Sequence, residues 1–131
     1  MNTLRILLAC ALLLLGHGAP AAQPPNTAAF LAHYEDIRAA LAADNLPSAR
    51  TAAKALPEAS SIADAESLSD ARKAFKILST QAVALARGQP GFFIVHCSMF
   101  PGGGADWVQT SEQISNPYWG KSMPRCGEIV K

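Results

Sequence analysis

Apolar residues recur with a helical period through much of the chain between residues 27 and 88. One stripe, with steps of four, three and four residues, predicts a helix over about residues 27–44. A longer stripe, with alternating steps of three and four, predicts a second amphipathic helix over about residues 67–87. The first stripe is Phe30, Tyr34, Ile37 and Leu41, and the second is Leu68, Ala71, Phe75, Leu78, Ala82 and Leu85.

Two shorter helices are predicted between these stripes. One begins near Pro47, a residue suited to the first turn of a helix, and ends before Pro57. Another covers about residues 59–66, and Gly88 ends the long helix that follows. Together the helices over residues 27–88 are expected to form an antiparallel bundle of three or four helices.

The pattern changes to that of strands and turns after residue 88. Strands are predicted at residues 92–99 and 107–110, with a third at 127–130. The Gly and Pro residues between them are typical of turns. The expected fold is mainly α, an antiparallel helical bundle with a small β-rich C-terminal unit over residues 89–131 (α+β), in a single domain over residues 23–131.

The first 22 residues have the features of a secretory signal peptide. Arg5 precedes an apolar run over residues 6–15, and small residues follow at 19–22. The run is much shorter than the roughly 20 residues that a transmembrane helix needs. We therefore expect cleavage of residues 1–22, export to the periplasm, and a mature protein with no transmembrane segment.

Charge and side-chain chemistry narrow the function classes. Eleven Lys and Arg residues stand against ten Asp and Glu, without a basic stretch, which argues against nucleic acid or an anionic membrane as the partner. No Ser, His and Asp arrangement typical of nucleophilic catalysis is recognisable, so an enzyme is not expected. Arg72 and Ser79 are expected to hydrogen-bond to the second half, whose core Trp107, Tyr118 and Trp119 would cover.

The second half concentrates sulfur in two short segments. Cys97 and Met99 are two residues apart near the end of a predicted strand, so both side chains would lie on one face. Met123 and Cys126 are three apart, a spacing that can place both sulfurs on one side of a turn. Thiolate and thioether ligands select Cu(I), because polarizable sulfur suits a polarizable cation. His96 is a further candidate ligand if the strand ends there.

A disulfide is the alternative interpretation of the same cysteines. Cys10 leaves with the signal peptide, and Cys97 and Cys126 remain as a pair in an oxidising compartment. Their bond would stabilise the fold by roughly 3.6 kcal/mol on the chain-entropy model. Met99 and Met123 would then be ordinary core residues. Spacing alone leaves the disulfide and the metal site equally open, and an oxidised pair cannot supply thiolates.

Several motifs together resemble a known family. They are Ala71–Ser79 on the long helix, Cys97-x-Met99, Asp106–Gln109, Asn116–Gly120 and Met123-x-x-Cys126-Gly127. In these motifs the chain resembles an uncharacterised bacterial periplasmic domain family. Its members occur as short exported proteins and at the C-terminus of membrane-fusion subunits of copper/silver efflux systems. The resemblance covers nearly all of residues 23–131.

The resemblance implies a role in handling heavy metals, chiefly copper. It therefore favours the metal site over a disulfide alone as the interpretation of the two cysteines. It implies a site whose ligands are Cys97, Met99, Met123 and Cys126. The family commonly has Pro at the position of Ser98 and Leu at that of Pro124, so the backbone beside the sulfurs is expected to differ.

We therefore expect a periplasmic protein that binds Cu(I) or Ag(I) and acts in heavy-metal efflux or homeostasis. Its expected partners are the metal ion and a periplasmic efflux-pump subunit. The alternative is a non-catalytic structural or protein-interaction domain stapled by a Cys97–Cys126 disulfide. A fold that holds the two sulfur segments apart would exclude the metal site.

Overall fold

The described part of the chain has an α+β fold with four α-helices and one three-stranded antiparallel sheet. The structure is a computed structural model that describes residues 25–130. The predicted signal peptide over 1–22 therefore lies outside the described residues. None of the helices in this range is long and apolar enough to cross a membrane. The helices are α1 (Pro25–Ala42), α2 (Leu46–Ala53), α3 (Ser60–Ala63) and α4 (Leu68–Ala86). The strands are β1 (Phe93–Cys97), β2 (Ala105–Gln109) and β3 (Glu128–Ile129), in the order β2–β1–β3.

The predicted helices and strands are present, with shifted ends. A 3₁₀ turn at Pro57–Ala59 precedes α3, where the sequence predicts one short helix over 59–66. The strand predicted over 92–99 ends at Cys97, because the chain turns immediately after it. Cys97 and Met99 therefore do not share a strand face, and that part of the prediction is wrong.

Side chains at the helix starts explain where α2 and α4 begin. The side-chain oxygen of Asn45 accepts a hydrogen bond from the Ser48 amide at 3.0 Å. Ser67 Oγ accepts one from the Asp70 amide, also at 3.0 Å. Each bond satisfies an N–H group that the first turn of a helix leaves unpaired. Local capping therefore sets both boundaries.

Helix α4 is central to the packing, because it lies against both the sheet and α1. On its buried face Phe75 stacks on Tyr34 of α1, with ring centroids 4.9 Å apart, and lies 5.7 Å from the ring of Tyr118. Tyr118 also packs edge-on against Trp107 of β2 at 6.0 Å. Aromatic pairs at such distances contribute about 0.5–1.5 kcal/mol beyond their burial. The prediction that aromatic residues cover the second-half core is confirmed, with Trp119 half-buried at its border.

Three buried hydroxyl groups join α1, α4 and β2 inside this core. Ser79 Oγ lies 2.7 Å from Tyr34 Oη and 3.2 Å from Tyr118 Oη. Tyr34 accepts a hydrogen bond from the Val108 amide at 3.3 Å, and Tyr118 donates one to the Asp106 carbonyl at 2.8 Å. Side chains therefore satisfy the backbone groups on the outer edge of β2 that another strand would otherwise pair. The predicted contact of Ser79 with the second half is confirmed.

The guanidinium of Arg72 makes a second connection between the two halves. Its Nε donates to the Pro117 carbonyl at 2.8 Å, and its Nη2 donates to the Leu41 carbonyl at 3.0 Å and to the carboxylate of Asp44. Asp44 also accepts a hydrogen bond from the Lys121 amide at 3.0 Å. The bond from Arg72 is the largest cause of the lowered pKa of Asp44. The predicted contact of Arg72 with the second half is confirmed.

Tyr34→Phe is expected to lower the free energy of unfolding by about 1–3 kcal/mol, because it leaves the buried Val108 amide without a partner. Urea unfolding followed by circular dichroism measures the change. The control is Thr80→Val, which removes a hydroxyl that bonds to the Lys76 carbonyl on the exposed side of α4. It should lower the free energy of unfolding by less than about 0.5 kcal/mol. Equal effects of the two substitutions would contradict the importance of the hydroxyl network.

Candidate metal centre

The two sulfur-containing segments meet in the structure. Cys97 Sγ lies 3.2 Å from Cys126 Sγ although 29 positions separate them in the chain, and both are free thiols. Cys97 is the last residue of β1, and Cys126 lies two residues before β3. These strands pair antiparallel with His96 opposite Glu128, so the preceding part of the C-terminal segment comes to lie beside Cys97. The register of the sheet therefore brings the thiols together.

The 3.2 Å separation lies between the values for a disulfide and for a metal-bound thiolate pair. A disulfide requires about 2.05 Å, so the sulfurs would approach by ~1.2 Å. With metal–sulfur bonds of about 2.3 Å, a tetrahedral ion requires ~3.8 Å, a trigonal ion ~4.0 Å and a linear two-coordinate ion ~4.6 Å between the sulfurs. The smallest movement, ~0.6 Å, leads to the tetrahedral arrangement. A disulfide and a metal-bound thiolate pair are therefore both within a movement of about 1 Å of the thiol separation.

The two thiols differ in exposure. Cys97 is 0 % exposed, whereas Cys126 is half-buried. The hydrogen bond with Cys97 is the largest cause of the raised pKa of Cys126, and burial adds to it. Cys126 is therefore a protonated thiol at neutral pH, and its binding to a metal releases that proton to solvent.

Asn116 fixes the segment that carries Cys126. Its side-chain amide donates to the Cys126 carbonyl at 2.7 Å, and its backbone amide donates to the Pro124 carbonyl at 3.0 Å. Its side-chain oxygen accepts hydrogen bonds from the amides of Tyr118 and Trp119. The residue is 0 % exposed. Sequence patterns indicate only a turn here, although Asn side chains often bond to the backbone two residues on, which is the signal that could have identified it.

Gly127 lets the chain pass close over the sheet directly after Cys126. Its φ is +137°, and a Cβ atom there would lie 2.9 Å from Trp107 Cη2 and 3.0 Å from Val95 Cγ1. Glycine avoids both the steric overlap and the unfavourable backbone conformation. A larger residue would displace the start of β3 from β1 and would therefore separate the thiols.

The two methionines neighbour the thiols in sequence but differ in their placement. The Cys126 amide donates to the Met123 carbonyl at 3.2 Å, so the two residues belong to one turn, and Met123 is half-buried. Met99 lies in the turn that follows β1, and 59 % of its surface is exposed. Met123 is therefore partly covered by the rest of the protein, whereas Met99 is largely exposed at the surface.

His96 lies on the face of β1 opposite to that of Cys97, as expected for adjacent residues of a strand. Its Nδ1 is 2.6 Å from Oδ1 of Asp106, the cross-strand neighbour. Its ring lies against Gly104, where a Cβ atom would be 2.8 Å from His96 Cε1. The structure therefore does not bring His96 to the sulfur pair, because the strand continues through Cys97 before it ends.

No group of three or more His, Cys, Asp and Glu residues is placed to hold a metal ion within residues 25–130. Methionine, which completes the candidate set of four sulfurs, is not one of those residue types. Comparison of the chain with protein-family models, with curated proteins and with solved structures found no match. The function is therefore proposed from the residues and their geometry.

Cys97→Ala is expected to speed the alkylation of Cys126 by iodoacetamide severalfold at mildly alkaline pH. The substitution removes the largest cause of the raised pKa of Cys126, so more of the reactive thiolate is present at a given pH. Mass spectrometry of the reduced protein across a pH series measures the rate. The same proteins unfolded in urea are the control, since Cys126 should then react equally in both. An unchanged pH profile in the folded variant would show that Cys97 does not control this thiol.

Proposed function

We propose that the protein binds Cu(I) or Ag(I) in the periplasm through its paired cysteine and methionine sulfurs, and acts in heavy-metal efflux or homeostasis. The observation that carries this proposal is the 3.2 Å separation of Cys97 Sγ and Cys126 Sγ. In this role the protein is not an enzyme, and it passes its metal to a subunit of a periplasmic efflux pump. The predicted signal peptide supports the location, and the motif resemblance supports the partner.

Soft-metal chemistry fits this set of side chains. The cysteine pair supplies two thiolates, and Met99 and Met123, two and three residues from a cysteine, are the nearest sulfur residues in the chain that can add further ligands. Thioether sulfur binds Cu(I) and is a poor ligand for zinc, whose structural sites use four Cys or His residues. Loading releases the two thiol protons to solvent. The cation that matches thiolate and thioether ligands together is therefore monovalent copper or silver.

The helices supply a rigid support in this proposal. We take them as the antiparallel bundle that the sequence predicts, with the sheet attached through α4. Because β2 is bonded to the hydroxyls of Tyr34 and Tyr118, β1 and its terminal Cys97 have little freedom to move. The adjustment on metal binding is therefore made by the arm that carries Cys126.

Replacement of both thiols is expected to remove the metal site. Reduced protein is titrated with Cu(I) in competition with a chromogenic chelator. A Cys97→Ser, Cys126→Ser double variant should bind at least about 100-fold more weakly, and Met123→Leu, which removes one thioether at similar volume, about tenfold more weakly.

Two controls accompany this titration. Thr80→Val lies outside the sulfur segments and should bind Cu(I) like the unaltered protein, and Zn(II) should bind more weakly than Cu(I) because thioether suits it poorly. Circular dichroism checks that each variant is folded. A Cu(I) affinity that is unchanged in the double cysteine variant refutes the proposed function.

A structural role is the second candidate, favoured by the burial of Cys97 against Cys126. In an oxidising compartment the two thiols can form a disulfide, which would stabilise the fold by roughly 3.6 kcal/mol on the chain-entropy model. The domain would then be a non-catalytic structural or protein-interaction module. Because a disulfide contains no thiolate, stapling and metal binding are alternative states of one cysteine pair.

Mass spectrometry of protein taken from the periplasm without reductant distinguishes the two roles. A structural disulfide predicts a mass lower than that of the reduced chain by two hydrogen atoms, and this difference persists in mild reductant. The metal-binding role predicts two thiols that a maleimide labels when the protein is mildly reduced and then unfolded in urea, because Cys97 is buried in the folded protein. Labelling after full reduction in denaturant gives the reference for complete reaction.

A further inference from the structure

The four candidate sulfur ligands differ in their access to solvent. Met99 is 59 % exposed, whereas Cys97 is 0 % exposed. Cys126 and Met123 are both half-buried and lie between these extremes. A metal ion that arrives from solution or from a partner therefore meets the Met99 sulfur first, and it reaches Cys97 last.

The backbone holds Met99 close to the thiol pair, although 59 % of the residue's surface is exposed. Met99 follows Cys97 by two residues, so their Cα atoms are at most ~7 Å apart. The next residue, Phe100, packs its ring 4.7 Å from that of Tyr118, and its carbonyl accepts a hydrogen bond from the Gly104 amide at 2.9 Å. The short turn is thus held at both ends, and Ser98 and Met99 are its exposed residues.

The chemistry of a thioether suits a ligand in this position. A thioether carries no proton, so it can take up a soft cation at once, whereas each thiol has to lose a proton before it binds. It is also a neutral ligand, in contrast to the anionic thiolates. An exposed thioether can therefore form a bond to the ion before a bond to another ligand breaks, without adding much to the stability of the loaded state.

We infer that Met99 is the exchange ligand of this site, through which Cu(I) or Ag(I) enters and leaves. The inference rests on the proposed function and deepens it. On loading, the ion binds the Met99 thioether and then moves to the two cysteines and Met123, while the two thiol protons pass to water. Release reverses these steps, and the oxidation state of the metal does not change. The partner is a protein with an exposed thioether or thiolate, which can reach Met99 but not the buried Cys97.

The test separates the rate of exchange from the affinity. Stopped-flow absorbance follows Cu(I) transfer from the loaded, reduced protein to a chromogenic chelator, and competition titration gives the Kd. Met99→Leu should slow transfer by about tenfold or more while the Kd changes by less than about threefold. Met123→Leu should mainly weaken the Kd. Ile77→Leu, at a position on α4 that is 77 % exposed, is the control for an exposed apolar substitution and should change neither quantity.

Each outcome decides between the two proposals. Transfer rates for Met99→Leu within about twofold of the parent rate would overturn the exchange role and leave the proposed function intact. A loss of affinity as large as that of Met123→Leu would also overturn it, because Met99 would then be an ordinary stabilising ligand. If the unaltered reduced protein binds neither Cu(I) nor Ag(I), the proposed function fails and the exchange role fails with it.

Discussion

The buried hydroxyl network of Tyr34, Ser79 and Tyr118 is the constraint on which the arrangement of this fold depends. It occupies backbone groups on the outer edge of β2, at Val108 and Asp106, and so attaches the sheet to α1 and α4. Burial raises the pKa of both phenols, so both stay protonated in the native state. With that edge of the sheet occupied, the remaining edge is the β1 side, where β3 pairs.

The position of the thiols follows from this arrangement. Because β3 pairs with β1, the segment before β3 returns past the end of β1, and Cys126 comes to lie against Cys97. Asn116 holds that segment from inside, and Gly127 lets it lie close to Trp107. The result is one buried and one accessible sulfur at a separation closer to that of a metal-bound pair than to that of a disulfide.

Sequence patterns predicted the helices well, because their apolar stripes face the core as the 3.6-residue period requires. They also predicted the interaction of the two sulfur segments, although only from the types of residue present. They could not predict where β1 ends, and Met99 was therefore assigned to a strand face when it lies in an exposed turn. Nor could they identify the role of Asn116, or the hydroxyl pairing of β2, because these bonds join positions far apart in the chain and depend on the completed tertiary packing.

The most direct test of the central claim, that two distant segments form a soft-metal site, is X-ray absorption spectroscopy of the reduced protein loaded with one equivalent of Cu(I). We expect a first coordination shell of sulfur alone, at about 2.3 Å, with three or four scatterers. That shell would show that thioether sulfur joins the two thiolates. A shell dominated by nitrogen or oxygen, or one with only two sulfur atoms in a linear arrangement, would contradict the site described here.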